Sequence, residues 1–138
     1  MRPRGKASLL DTNVLLRYLL GDDPVQSPRA RVLFNRLEQS SERCEIPEVT
    51  LVETVWVLSK QAGVPRGIIA SDLAGILKLP GIRHPRKRVW MDALTLFAST
   101  NCDMADCLLA AQAKSRGMSV TSFDADFRKL GCVWEEPT

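Results

Sequence analysis

The chain contains one histidine, His84, and four cysteines, Cys44, Cys102, Cys107 and Cys132, with no C-x-x-C pair among them. Zinc sites draw on closely spaced Cys and His ligands, so this scarcity argues against a zinc protein. The cysteines are expected to be reduced and packed, Cys107 on a helix and Cys132 near a strand, without disulfides. No apolar run approaches the length of a membrane span. The N-terminal MRPRGKA is basic, but only short apolar pieces follow it, which reads against a secretory signal. Together these absences predict a cytoplasmic protein with no membrane partner. Repeats, low-complexity linkers and signs of a second domain are missing too, so residues 1–138 are read as a single domain, long enough to bury a real core.

Hydrophobic residues at 45% and charged residues at 25% are ordinary for a soluble globular chain. The formal net charge of +3, from 19 Lys and Arg against 16 Asp and Glu, says little alone. Its distribution says more: Arg83, His84, Arg86, Lys87 and Arg88 form one cluster, and Arg2, Arg4 and Lys6 another. Such runs are either solvated helix ends or a patch that holds a phosphate backbone.

Short strands alternate with helices along the chain. Strands are expected at Ala7–Leu10, Arg43–Ile46, Gly81–His84, Met118–Ser122 and Cys132–Trp134. Helices are expected at Thr12–Leu20, from an N-cap at Ser27 with Pro28 first in the helix to Glu38, and at Glu48–Lys60, Arg66–Leu79, Arg86–Ser99 and Met104–Arg116. This alternation predicts βαβ units and an α/β fold with a parallel sheet covered on both faces. In such sheets, ligands gather outside the carboxyl ends of the strands.

That rule makes the acids informative. In "LLDTNVLLRYLLGDDP", Asp11 interrupts an apolar run where the first strand hands over to a helix. Asp124 follows the strand ending near Ser122, Asp106 lies in the first turn of its helix, and Glu53 sits in "LVETVWVL" about 8 Å along its helix from Glu48. Helical side chains lean towards the N-terminus, so Glu53 can reach back to the sheet edge. Each acid also has a bland reading. Asp11 and Asp103 can cap helices, Asp106 can favour a helix N-terminus, and Asp124 and Asp126 lie in a turn. Glu53 is the hardest to dismiss, because a carboxylate on an apolar face carries a desolvation cost. Crowded carboxylates must protonate, pair with a base or bind a cation, and no Lys or Arg has an obvious place among these four. A hard divalent ion, Mg²⁺ or Mn²⁺, is the economical solution, and basic patches beside it suit a polyanion.

"LLDTNVLLRYLLGDDP", "TLVETVWVL", "CDMADCLLAAQAKSRG" and "TSFDADF", in that order, resemble the motifs of PIN-domain ribonucleases, and among them the VapC-type toxins of bacterial toxin–antitoxin pairs. The resemblance runs from Leu9 to Trp134. It implies an α/β/α sandwich around a parallel sheet of about five strands, and a Mg²⁺- or Mn²⁺-dependent endoribonuclease that hydrolyses RNA phosphodiester bonds. Carried over, the catalytic and metal-holding acids fall on Asp11, Glu53, Asp106 and Asp124, with Asn13, Asp103, Thr121 and Ser122 as polar support. Met104 replaces the family's usual Phe. One residue more than usual separates Thr121 from Phe123, which leaves Asp126 in competition with Asp124 for the fourth position. A VapB-type antitoxin and a homodimer are the implied partners.

Two other classes fit parts of the pattern. A catalytically silent PIN-like module would bind RNA or protein without turnover. A phosphoacceptor receiver domain would want paired acids after its first strand and a lysine after a late one, whereas Leu10 precedes a single Asp11 and Ser122 stands at the late strand end.

Overall fold

Strands of two paired residues alternate with helices of nine to thirteen residues through residues 7–138, the span described by the computed structural model. Arg2, Arg4 and Lys6 of the N-terminal basic cluster lie outside that span. The chain divides into two compact units: residues up to Gly63 together with Gly75–Pro85, and Val64–Ala74 together with Arg86–Thr138.

The first unit holds β1 (Ser8–Leu9), α1 (Thr12–Leu20), α2 (Gln26–Glu38), β2 (Cys44–Glu45) and α3 (Glu48–Trp56). After the boundary within α4 (Arg66–Leu77) it adds β3 (Ile82–Arg83). The strands pair in the order β1-β2-β3, all parallel, with Leu9 beside Glu45 and Glu45 beside Arg83. Their carboxyl ends are thus level. Leu15, Phe34, Leu37, Ile46, Leu51 and Ile82 are almost wholly buried. Tyr18 of α1 stacks on Phe34 of α2, ring centroids 4.0 Å apart and planes 7° from parallel.

Local chemistry sets the ends of these helices. Gly21 closes α1 at φ 64°, where its N–H reaches the Arg17 carbonyl, a conformation glycine adopts without strain. The expected Ser27 cap is not observed, because Asp23 takes the role. The Asp23 Oδ1 accepts from the N–H groups of Val25 (2.9 Å) and Gln26 (2.6 Å). These backbone bonds hold its carboxyl below the usual range. Ser27 lies inside α2, and its hydroxyl donates to the Arg17 carbonyl and ties α1 to α2. The expected Glu48–Lys60 helix changes character at Val57, where Val57–Gln61 is a π-helix. Gly81 has no room for a side chain: a Cβ there would collide with the Glu42 carbonyl and the Leu37 backbone.

The second unit holds α5 (Lys87–Ser99), α6 (Met104–Ser115), β4 (Val120–Thr121), a 3-10 turn at Ala125–Leu130 and β5 (Trp134–Glu135). Trp90, Ala93, Leu94 and Phe97 of α5 and Cys107, Ala110 and Ala111 of α6 are buried. Arg66 spans the connection between these helices. Its guanidinium lies 3.7 Å from the Phe97 ring centroid and donates to the carbonyls of Phe97 and Cys102. β4 and β5 pair in parallel, Val120 beside Trp134.

The five parallel strands are therefore divided between a three-stranded and a two-stranded sheet, where one sheet of about five was expected. With two paired residues each, the strands are shorter than the apolar runs suggest. The last strand also falls later than Cys132–Trp134, since Gly131, at φ 69°, still closes the 3-10 turn and the Cys132 thiol donates back to the Phe127 carbonyl. All four cysteines are free. Burial pushes the Cys107 thiol up to about 11, so it stays protonated and inert.

Candidate active site

At the carboxyl edge of the first unit's sheet, Asp11 occupies the N-cap position of α1 with an extended backbone, φ −84° and ψ 156°. Its carboxylate makes no capping hydrogen bond and is exposed. The bland explanation of the interrupted apolar run therefore fails on geometry, and Asp11 is left open to solvent and ligands.

The next residue does different work. Thr12 is buried, and its Oγ1 donates to Glu53 Oε2 at 2.9 Å. One turn earlier on α3, the buried Thr50 hydroxyl donates to the Leu10 carbonyl at 3.0 Å. These two bonds fasten α3 to the β1–α1 junction and bring Glu53 to the edge where Asp11 stands. Sequence reasoning did not pick out Thr12 or Thr50. The available signal was the hydroxyl three residues before Glu53, one helical turn away on the same face. Asn13 is exposed in the first turn of α1.

Glu53 is not on a buried face as its apolar neighbours implied. It is exposed, and Val49 and Trp56, on the same side of α3, are 72% and 53% exposed. The desolvation argument does not apply here. What needs explaining is an uncovered apolar surface around a carboxylate.

In the second unit, Asp103 stands at the N-cap position of α6 but makes no side-chain cap bond, so its expected capping role is not observed. Asp106 is half-buried in the first turn. Its carboxyl is held above the ordinary range, first by burial and then by the charges of Asp103, Asp124 and Asp126. The structure thus brings those four acids into one field. Asp124 Oδ1 accepts from the Asp126 N–H at 2.9 Å and starts the 3-10 turn, and its own N–H donates to the Ser122 hydroxyl. Thr121 is exposed on β4. Asp126 lies 3.3 Å from Lys129. A base thus does reach this region, but it answers the competing acid.

The donor set is entirely carboxylate oxygen, which suits a hard divalent cation and not a soft one. Among the described residues, no three His, Cys, Asp or Glu side chains gather closely enough to form a metal cage. Magnesium does not require one: it keeps several waters and is commonly held by one or two carboxylates plus substrate phosphate. An all-carboxylate donor set in which Asp11 is exposed and uncapped fits such an ion.

The PIN domain family model matches residues 8–131. A VapC ribonuclease of Aquifex aeolicus (strain VF5) is 31% identical over 124 residues, covering 89% of this chain and 91% of the relative. The chain belongs to the PIN-domain family, and so to the α/β/α class its motifs implied.

Proposed function

We propose that the chain is a divalent-metal-dependent endoribonuclease and the toxin component of a type II toxin–antitoxin pair, working as one PIN domain over residues 1–138. The observation that carries this reading is the exposed, uncapped Asp11 carboxylate at the sheet edge, with Glu53 fastened at that same edge by Thr12, in a chain whose family motifs run in order from Asp11 to Asp124. The family motifs assign the direct hold on Mg²⁺ or Mn²⁺ to Asp11 and Asp106, and action through water or orientation of the nucleophile to Glu53 or Asp124. When bound, the ion supplies Lewis acidity towards water and the phosphate oxygens. Thr12 fixes one oxygen of Glu53. Asp124 is preferred to Asp126 as the fourth acid, because Asp126 lies beside Lys129 and Asp124 does not pair with it. Arg83, Arg86 and Arg88 are exposed and suit a phosphate backbone.

A VapB-type antitoxin is the proposed partner. Between α1 and α2 runs an open groove of about 570 Å³, lined by Val14, Val32 and Leu33 and by Arg17, Arg29 and Arg36. That mixture suits an acidic, amphipathic segment. The uncovered Val49 and Trp56 on α3 suit a homodimer contact. No helix among the described residues is long and apolar enough to cross a membrane, which supports the proposed cytoplasmic location.

A catalytically silent PIN-like RNA- or protein-binding module is the second reading, which keeps the same fold and acids without turnover. One experiment separates the two: cleavage of a pool of folded and single-stranded RNAs in Mg²⁺, Mn²⁺ or EDTA, comparing wild type with Asp106→Asn. Metal-dependent cutting that disappears in the variant establishes the nuclease. Binding without cutting by folded wild type establishes the silent module.

A further inference from the structure

A recess of about 230 Å³ lies between α6 and the segment entering β4, lined by Leu109, Gln112 and Arg116 on one side and Met118 and Thr121 on the other. Leu109 and Met118 are 45% and 52% exposed, so two large apolar side chains face water across the same hollow. No carboxylate lines it. Arg116 is exposed and makes no side-chain ion pair or hydrogen bond among the described residues. The Gln112 carboxamide oxygen accepts from Arg86 Nη1 at 3.0 Å and Nη2 at 2.9 Å, which holds a second guanidinium against α6.

The recess is continuous in sequence with the acid site at both of its walls. Leu109 comes three residues after Asp106, about 4.5 Å along the helix, and Arg116 ten residues after it, about 15 Å. Thr121 comes three residues before Asp124. The face of α6 therefore passes from carboxylate to apolar floor to cation.

We propose that this recess receives one unstacked nucleobase of a single-stranded RNA, on Leu109 and Met118, while Arg116 and Arg86 hold the phosphates beside it. The proposal rests on the nuclease reading for the identity of the ligand and adds where the strand lies. An apolar floor with flanking guanidiniums matches a nucleotide, apolar on its base faces and anionic on its backbone. A base inside a duplex keeps both faces stacked and cannot enter, so single strands are selected.

The test is fluorescence anisotropy of a labelled single-stranded oligoribonucleotide with the full chain in EDTA, where no cleavage interferes. Leu109→Gln and Met118→Gln change exposed positions. Each is expected to weaken binding about tenfold, and a duplex of the same sequence should bind far more weakly than the single strand. Arg116→Gln should lower the slope of log affinity against log salt by about 0.7, one phosphate contact. An oligonucleotide made abasic at one position should lose the same affinity, and Leu109→Gln should add nothing to that loss. Unchanged single-strand affinity in all three variants overturns the proposal, whether or not wild type cuts RNA. So does a Leu109→Gln variant that alters oligomeric state while binding RNA normally, since the recess would then seat a second copy. If the variants lose single-strand binding and wild type cuts nothing in Mg²⁺ or Mn²⁺, the recess stands and the nuclease reading falls.

Discussion

The Thr12 hydroxyl donates to Glu53 Oε2 at 2.9 Å, joining residues 41 positions apart across the carboxyl edge of the first sheet. Thr12→Val removes the donor while keeping the branched shape. The expected result is a stability loss of about 1 kcal/mol, measured by urea denaturation. Turnover of RNA should fall about tenfold with little change in KM, because a carboxylate that loses its orientation is still present.

Asp106→Asn separates stability from function. The folded protein holds this carboxyl above its ordinary value of 3.8, so the ionised form costs stability at neutral pH. That cost is present above the raised value and vanishes below 3.8. The variant should therefore melt higher than wild type at pH 7, yet lose cleavage by a factor of about 100 or more. Millimolar Mg²⁺ should raise the melting temperature of wild type and leave the variant nearly unmoved. A variant that melts lower would mean the acids are not in net repulsion.

The same field sets the acid side of the activity profile. In its proposed role Asp106 must be ionised to take the ion, so at Mg²⁺ well below saturation activity should fall with decreasing pH from a point above 3.8, and saturating Mg²⁺ should move that point down. Asp103→Asn removes one of the repelling charges, and its profile should shift towards lower pH. A profile that does not move would show that Asp103 has no electrostatic hold on the reaction.

Asp124 and Asp126 can be told apart directly. Asp124→Asn should abolish most cleavage, whereas Asp126→Asn should leave it within about threefold, since an exposed pair such as Asp126–Lys129 contributes little. The reverse ranking of initial rates would move the fourth position to Asp126.

Gly81→Ala tests the frame. Its new methyl group meets fixed carbonyl and backbone atoms of the chain around Leu37 and Glu42, which cannot rotate away as a flexible side chain would. A loss of about 3 kcal/mol or more in denaturant unfolding is expected.

Legibility from sequence followed the strength of the local signal. α1 was readable to the residue, from the Thr12 start to the Gly21 stop, because its apolar spacing and the glycine that ends it are short-range signals. The start of α2 was misplaced: Ser27-Pro28 looks like a cap and first turn, but Asp23 reaches two N–H groups from outside the helix, and only coordinates show which acceptor wins. Strand positions were found and their lengths overstated, since an apolar run records burial and not how many residues pair. The acids were legible as types and in order. Their surroundings were not, because the exposure of Glu53 depends on what covers α3, and the Lys129 pairing depends on the turn that carries it.

Tyr18 is the one tyrosine in the chain, and it stacks on Phe34 at the seam of α1 and α2, beside the groove lined by Arg17 and Leu33. The chain thereby carries a single-copy spectroscopic probe one residue along from Arg17 of the proposed antitoxin cleft. A fluorinated tyrosine incorporated throughout the protein would give one ¹⁹F resonance. Its shift on titration would report occupancy of that cleft without a label being attached to either partner.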